Sequence, residues 1–139
     1  MHLQSFACVA VTLVALFPSF ASGADWNQWR GPNRDSQLTE SEWPDALNGR
    51  LNLLWEQEHA PSYSGPISQD GLVFTTETVD KTTERVTAYE LKSGDLVWEK
   101  EWPGAMAVPF FAASNGDWIR STPAVSDDNL LVLGMRDVL

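Results

Sequence analysis

An internal repeat constrains the fold of this chain more than any other feature. Residues 53–58 read LLWEQE and residues 96–101 read LVWEKE, so four of six positions are identical at an offset of 43 residues. A second, looser pair joins residues 64–73 (SGPISQDGLV) to residues 121–131 (STPAVSDDNLL). Strand-like units that recur at about this period are typical of propellers and related arrays, in which each unit buries its faces against the next.

Turn chemistry divides residues 66–102 into four short strands. Asp70-Gly71 and Ser93-Gly94 are tight-turn sequences, because glycine adopts a positive φ without steric cost. Val and Thr between these turns favour strand over helix. The predicted strands form one antiparallel meander, the blade 66–102, and they span residues 66–69, 72–79, 85–91 and 96–102.

The neighbouring segments place this blade in a larger array. Residues 53–58 match the fourth strand of a blade, but three strands do not precede them, so we predict that they close the last blade of a propeller. Residues 121–139 match the start of a second, incomplete blade. We therefore predict an all-β fold for residues 51–139, the N-terminal portion of a β-propeller with four-stranded antiparallel blades. Because a propeller has about four to eight blades, we expect the chain to be part of a longer protein.

The first residues predict export. Residues 1–24 contain no Asp, Glu, Lys or Arg, and their apolar run ends in the small residues of the segment ASGA. This pattern is typical of a signal peptide, and the run is short for a membrane span. We predict a cleaved signal peptide at 1–24, a periplasmic or secreted location and no membrane span in the mature segment. The alternative is a retained N-terminal anchor.

Residues 25–50 predict an extended segment rather than a helix. Pro32 and Pro44 and a high content of Asn, Asp, Ser and Gly disfavour a long helix there. We expect Trp26, Trp29 and Trp43 to pin this segment to the body of the protein.

Charge and cysteine content exclude several functions. The net charge is −10 and the sequence has no basic cluster, so we predict no nucleic-acid partner. The single cysteine, Cys8, lies within the predicted signal peptide. The mature part of this sequence therefore has no thiolate for a disulfide or a metal site.

Residues 88–98 (AYELKSGDLVW) carry a family resemblance. They resemble the repeat of the pyrroloquinoline-quinone (PQQ)-like β-propellers, roughly Ala-x-Asp-x-x-Thr-Gly-x-x-x-Trp, although Glu90 and Ser93 replace the usual Asp and Thr. Residues 25–32 (DWNQWRGP) are also similar to the start of secreted bacterial members of that family.

The physical roles of the motif residues are structural. Ala88 permits close approach of sheets, and Gly94 provides the turn. Trp98 buries a large ring that can pack between neighbouring blades, with its indole N–H bonded to a carbonyl. Trp55 is the matching residue of the repeat and is assigned to the same structural motif.

The resemblance also implies a cofactor in some members. Enzymes of the family hold PQQ and Ca²⁺ near the propeller axis, with a Trp beneath the quinone, an acidic base and often two adjacent cysteines. This segment offers no cysteine pair and no identified base. Catalytic and cofactor-binding residues are therefore unassigned and no metal site is predicted. PQQ and calcium stay options for the full-length protein.

Three isolated candidates favour structural roles. The run at Asp127-Asp128-Asn129 lacks the spacing of a Ca²⁺ loop and aligns with the Asp70-Gly71 turn, which predicts a hairpin tip. His59 has no second histidine in the mature segment, so we expect a solvent-facing loop residue. Arg30 could bind an anion, but stacking on Trp29 or pairing with a carboxylate is favoured.

The long connection at 103–120 is the best candidate for recognition. In a four-strand meander it shares one side of the blade with the connection at 80–84, whereas the other side has only minimal turns. Function tends to reside on such loops. Candidate recognition residues are Met106, Phe110, Phe111 and Trp118. The alternative is that they cap a gap between blades.

These observations favour a secreted or periplasmic PQQ-like propeller that acts as a binding or scaffold protein for a protein or polymer partner. The alternative is a PQQ-dependent quinoprotein dehydrogenase that oxidises alcohols or sugars. A glycan-binding propeller would share the fold, and the sequence does not separate it from the first reading.

Overall fold

The architecture is all-β. In this computed structural model the structure describes residues 25–38, 46–49 and 51–136, so the predicted signal peptide and Trp43 lie outside the described residues. One antiparallel sheet has the order β1-β2-β3-β4, and a separate hairpin joins β5 to β6. The strands are β1 (Ile67–Gln69), β2 (Leu72–Val79), β3 (Thr83–Glu90), β4 (Leu96–Pro103), β5 (Ala124–Ser126) and β6 (Asn129–Leu131). The predicted four-stranded meander is confirmed.

Tight turns set the boundaries of the first three strands. Asp70 and Gly71 have φ of 52° and 77°, and Asp80 and Lys81 have φ of 49° and 57°. Two consecutive positive φ values are typical of the hairpin turn that matches the twist of the flanking strands. The turn at Asp80 is thus tighter than the connection predicted at 80–84, and β3 begins at Thr83.

The first face of the sheet packs against the second hairpin. The register places Phe74 opposite Ala88 and Ala88 opposite Trp98, so these side chains share one face. Phe74 and Ala88 are buried there with Ile67, and the apolar side chains of β5 and β6 contact this cluster. The second hairpin covers only this face of the sheet, so the opposite face is left for another element to cover.

The second face is covered by an extended segment. Trp55 lies near Tyr89 of this face, with 6.2 Å between ring centroids. Residues 53–58, predicted as a strand, have no strand pairing in this structure, and none of residues 51–66 is part of a sheet. A strand requires a hydrogen-bonded neighbour, and the part of the chain that the structure describes provides none for this segment.

The N-terminal segment pairs with the edge of both sheets. Trp26 and Ser68 exchange two backbone hydrogen bonds of 2.8 and 3.0 Å, and the Val125 N–H donates to the Asn27 carbonyl at 2.8 Å. Trp26 therefore lies against the body as expected. Trp29 is 65% exposed, so the expectation that it also pins the segment is wrong.

A 3₁₀ helix, Phe110–Asn115, lies in the long connection between the two sheets. Over the residues described, no helix is long and apolar enough to cross a membrane.

Candidate functional site

Trp55 is seated in the turn between β3 and β4. Its indole N–H donates to the Leu91 carbonyl at 2.9 Å, and the Gln57 amide donates to the Gly94 carbonyl at the same distance. Gly94 has φ of 75°, and a Cβ built there would lie 2.6 Å from Trp55 Cδ2. The turn therefore accepts the Trp55 ring only because residue 94 has no side chain.

Ala88 and Trp98 occupy different environments. Ala88 is completely buried in the first face, as its proposed role requires. Trp98 lies 6.0 Å from the Phe74 ring, yet 38% of it is exposed. Trp55, its partner in the repeat, is enclosed by a turn. Within the described residues, no equivalent turn encloses Trp98.

A buried carboxylate connects the four-stranded sheet to the segment that follows β6. Glu84 of β3 is 0% exposed, and its Oε2 accepts the Trp102 indole N–H at 2.8 Å. Its Oε1 accepts the Met135 backbone N–H at 2.9 Å. Hypothetical Cβ atoms on Gly104 or Gly134 would overlap this carboxylate, so only glycine permits the approach. Two donors on opposite oxygens hold the buried charge.

A second charged cluster lies on the other face. The Arg85 guanidinium contacts three carboxylates, at 3.1 Å from Glu77, 2.5 Å from Glu101 and 3.9 Å from Glu99. The hydrogen bond to Glu101 raises the pKa of Arg85 above its ordinary value, opposed by partial desolvation. Glu77, which is buried, also accepts the Ala60 N–H at 2.5 Å and so ties the extended segment to the sheet.

The predicted recognition residues divide into two groups. Phe110 and Phe111 are 91% and 76% exposed, and their rings meet edge to face at 5.7 Å. Met106 is 44% exposed. Trp118 instead is half-buried, with its ring 5.4 Å from that of Tyr63. The exposed apolar surface of the loop is therefore formed by the two phenylalanines and Met106.

Tyr63, Trp118 and Arg120 form a compact cluster at the C-terminal end of the same connection. The Arg120 Cζ lies 4.9 Å from the centre of the Tyr63 ring, within cation–π range. One Arg120 Nη2–H donates to the Gly116 carbonyl at 3.0 Å. Between them, the fully buried Ile119 donates its N–H to Thr78 Oγ1 at 2.8 Å and accepts the Tyr63 N–H at 3.0 Å.

A cavity of about 370 Å³ separates the extended segment from the second face of the sheet. Its walls combine two aromatic rings with hydroxyl, amide and imidazole groups, contributed by Trp55, Gln57, His59, Ser62, Ser64, Pro66, Val73, Thr75 and Tyr89. The Thr75 hydroxyl is buried with no hydrogen-bond partner among the residues described.

The isolated candidates are placed as follows. Asp127 has φ of 51° and lies between β5 and β6, so the hairpin-tip prediction for Asp127-Asp128-Asn129 is confirmed. His59 is exposed in the extended segment, as expected. Arg30 lies 5.5 Å from the Trp29 ring and donates from Nε to Ser36 Oγ. No group of three or more His, Cys, Asp or Glu gathers for a metal ion within residues 25–38, 46–49 and 51–136.

Sequence reasoning missed Glu84, Tyr63 and Arg120. Glu84 occupies a strand position whose neighbours in sequence, Thr83 and Arg85, are polar, so burial has no local signal. Tyr63 and Arg120 are 57 positions apart, and only the fold brings them together.

Comparison with models of known protein families, with curated proteins and with solved structures found no match.

Proposed function

We propose that this chain is the N-terminal portion of a secreted or periplasmic β-propeller of the PQQ-like type, which acts as a binding or scaffold protein. The resemblance at residues 88–98 and the internal repeat are the basis for the propeller. The packing of Trp55 in the Gly94 turn supports it, because Trp55 of one repeat copy contacts the turn before the other, and stacked repeats bury their faces on such neighbours.

One observation supports a binding role over a purely structural one. Phe110 and Phe111 are adjacent, almost fully exposed and held on a 3₁₀ helix within the long connection. Aromatic side chains and Met are enriched at protein interfaces, and exposed apolar patches rimmed by polar residues mark interaction sites. We infer that this connection binds a protein or polymer partner.

Site-specific photo-crosslinking tests this role. A photoreactive residue in place of Phe110 in the exported full-length protein should give one defined adduct in its native compartment. A second Phe111→Ser substitution should abolish that adduct. The matched control is the same photoreactive residue at Leu51, which is also largely exposed but lies outside the connection. Equal labelling from both positions would contradict a specific recognition surface.

A cofactor titration tests the alternative. The full-length protein is titrated with PQQ and Ca²⁺, and electron transfer from primary alcohols to a dye is measured. The scaffold proposal predicts no turnover. Saturable, Ca²⁺-dependent turnover would establish the dehydrogenase instead.

A further inference from the structure

Two arginines of this chain differ in how many carboxylates lie near them. Arg85 has three carboxylates within 4 Å. Arg120, in a chain with 19 acidic and nine basic residues, has no carboxylate within ion-pair distance in the part that the structure describes. The net negative charge of the chain repels anions overall. The unpaired cation at the end of the long connection at 103–120 nevertheless provides a local site for them.

Arg120 is also held in position. Its guanidinium stacks on Tyr63 and uses one Nη2–H for the Gly116 carbonyl. The backbone immediately before it is fixed through Ile119, which is fully buried and hydrogen-bonded to Thr78 and Tyr63. Because the cation is held before a ligand arrives, less conformational entropy is lost on binding.

The chemistry of the cluster selects the ligand. A guanidinium has five N–H donors in a planar fork that matches the two oxygens of a carboxylate or phosphate. Beside it are the Tyr63 ring, which is 47% exposed, and the half-buried Trp118 ring. The aromatic neighbours favour a ligand that carries its charge on an apolar body.

We propose that Arg120, with Tyr63 and Trp118, forms a binding site for an oxyanion, a carboxylate or a phosphate, attached to an apolar group. The site deepens the proposed binding function and rests on it. It requires neither the propeller closure nor a redox cofactor. Arg120 binds the anion, and Tyr63 is a positioning residue that holds the guanidinium.

Calorimetric titration of the full-length protein tests the proposal. Benzoate and phenyl phosphate distinguish the two anion types, and benzyl alcohol measures the ring without charge. We expect saturable binding of at least one anion, no saturable binding of benzyl alcohol, and weaker anion binding at higher salt. Arg120→Gln should lower the affinity by at least about tenfold, as expected for a lost charged hydrogen bond.

A second arginine provides the matched control. Arg30 is also exposed and stacked on an aromatic ring, but it lies in a turn of the N-terminal segment with φ of 65°. Arg30→Gln should leave the affinity within about twofold. If Arg120→Gln does not fold, the anion affinity of Arg120→Lys is measured instead. This variant keeps the charge but loses the fork, so it should weaken anion binding and retain part of it.

Three results would overturn the site. They are no saturable binding of either anion, an affinity unchanged by both substitutions at residue 120, and equal loss in the Arg30 variant. The first would show that Arg120 does not form an anion site. Photo-crosslinking at Phe110 could still succeed in that case, so failure of the anion site and failure of the binding role are separable.

Discussion

Gly94 shows how one missing side chain determines a contact between distant segments. Its φ of 75° is strained for any residue with a Cβ, and the approach of Trp55 leaves no room for one. Gly94→Ala should therefore destabilise the full-length protein by about 2–4 kcal/mol, from backbone strain and overpacking together. Chemical denaturation measures the change.

Gly71 supplies the control for that prediction. It has φ of 77°, but nothing lies within 4 Å of the position that a Cβ would occupy. Gly71→Ala should cost only the backbone strain, about 1–2 kcal/mol. Equal losses at both glycines would mean that the Trp55 ring does not occupy the turn.

Glu84 is a fully buried polar residue whose hydrogen bonds join distant parts of the described chain. Its two oxygens accept from Trp102 and Met135. Glu84→Gln keeps the shape but replaces one acceptor with an NH₂ donor, so one N–H should lose its partner at a cost of about 1–3 kcal/mol. Glu58→Gln, at an exposed position, should change stability by less than about 0.5 kcal/mol. Thermal unfolding of both variants checks this, and an unchanged stability of Glu84→Gln would contradict the inferred connection between the sheet and the segment that follows β6.

Glu90 gives a pH-dependent prediction. Hydrogen bonds from Ser93, its hydroxyl first and its backbone N–H second, lower the pKa of Glu90 below the ordinary value of about 4.5. The single hydroxyl proton is donated to Asp95 Oδ2 at 2.8 Å in this structure, so the backbone N–H, 2.8 Å from Glu90 Oε2, is the constant donor.

The direction of the pH dependence of stability follows from this lowered pKa. Glu90 stabilises the folded state above its unfolded pKa, and this contribution is lost as the pH falls through the lowered folded pKa. Ser93→Ala should shift the Glu90 titration upward only in part, because the backbone donor remains. Carboxyl NMR shifts followed between about pH 2 and 7 measure it. A full return to the ordinary pKa would assign the effect to the hydroxyl instead.

At the scale of elements, the repeat relates residues 53–58 to β4. Trp55 is seated in a turn, whereas Trp98 is 38% exposed. The proposed propeller would give Trp98 an equivalent turn in the next blade. Trp98→Ala should then cost about 3–5 kcal/mol in the full-length protein, the usual range for truncation of a buried tryptophan. A loss under about 1 kcal/mol would contradict the repeat interpretation.

The sequence predicted elements better than contacts. The turns at Asp70-Gly71 and Ser93-Gly94 were predictable because their conformations depend on local residues, and the alternation of β2 and β3 follows from the pleat. The segment at 53–58 was predicted as a strand from its likeness to β4, but strand geometry depends on a neighbour that local sequence does not specify. Glu84 and the Tyr63–Arg120 contact could not be predicted, because each depends on residues more than 15 positions away.

At the scale of the whole molecule, the described structure is a sheet and a hairpin with one face only thinly covered. Leu53 and Leu54 are 80% and 77% exposed, and residues 51–66 cover the second face without strand pairing. Residues 25–139 expressed alone should therefore unfold without a sharp two-state transition, because repeat units depend on their neighbours. Differential scanning calorimetry provides the measurement. A cooperative peak whose calorimetric and van't Hoff enthalpies agree would contradict this expectation.

The pairing of the N-terminal segment has a consequence for the order in which the chain acquires its structure. Asn27 bonds to Val125, 98 positions later, while Trp26 bonds to Ser68. During synthesis, residues 26 and 27 therefore have both of their partners only after residue 125 has been made. Such long-range closure slows folding, because loop entropy is lost before the contacts form. The bonds of Trp26 to Ser68 can form once β1 exists, whereas the edge of β5 gains its partner Asn27 only when residue 125 is present.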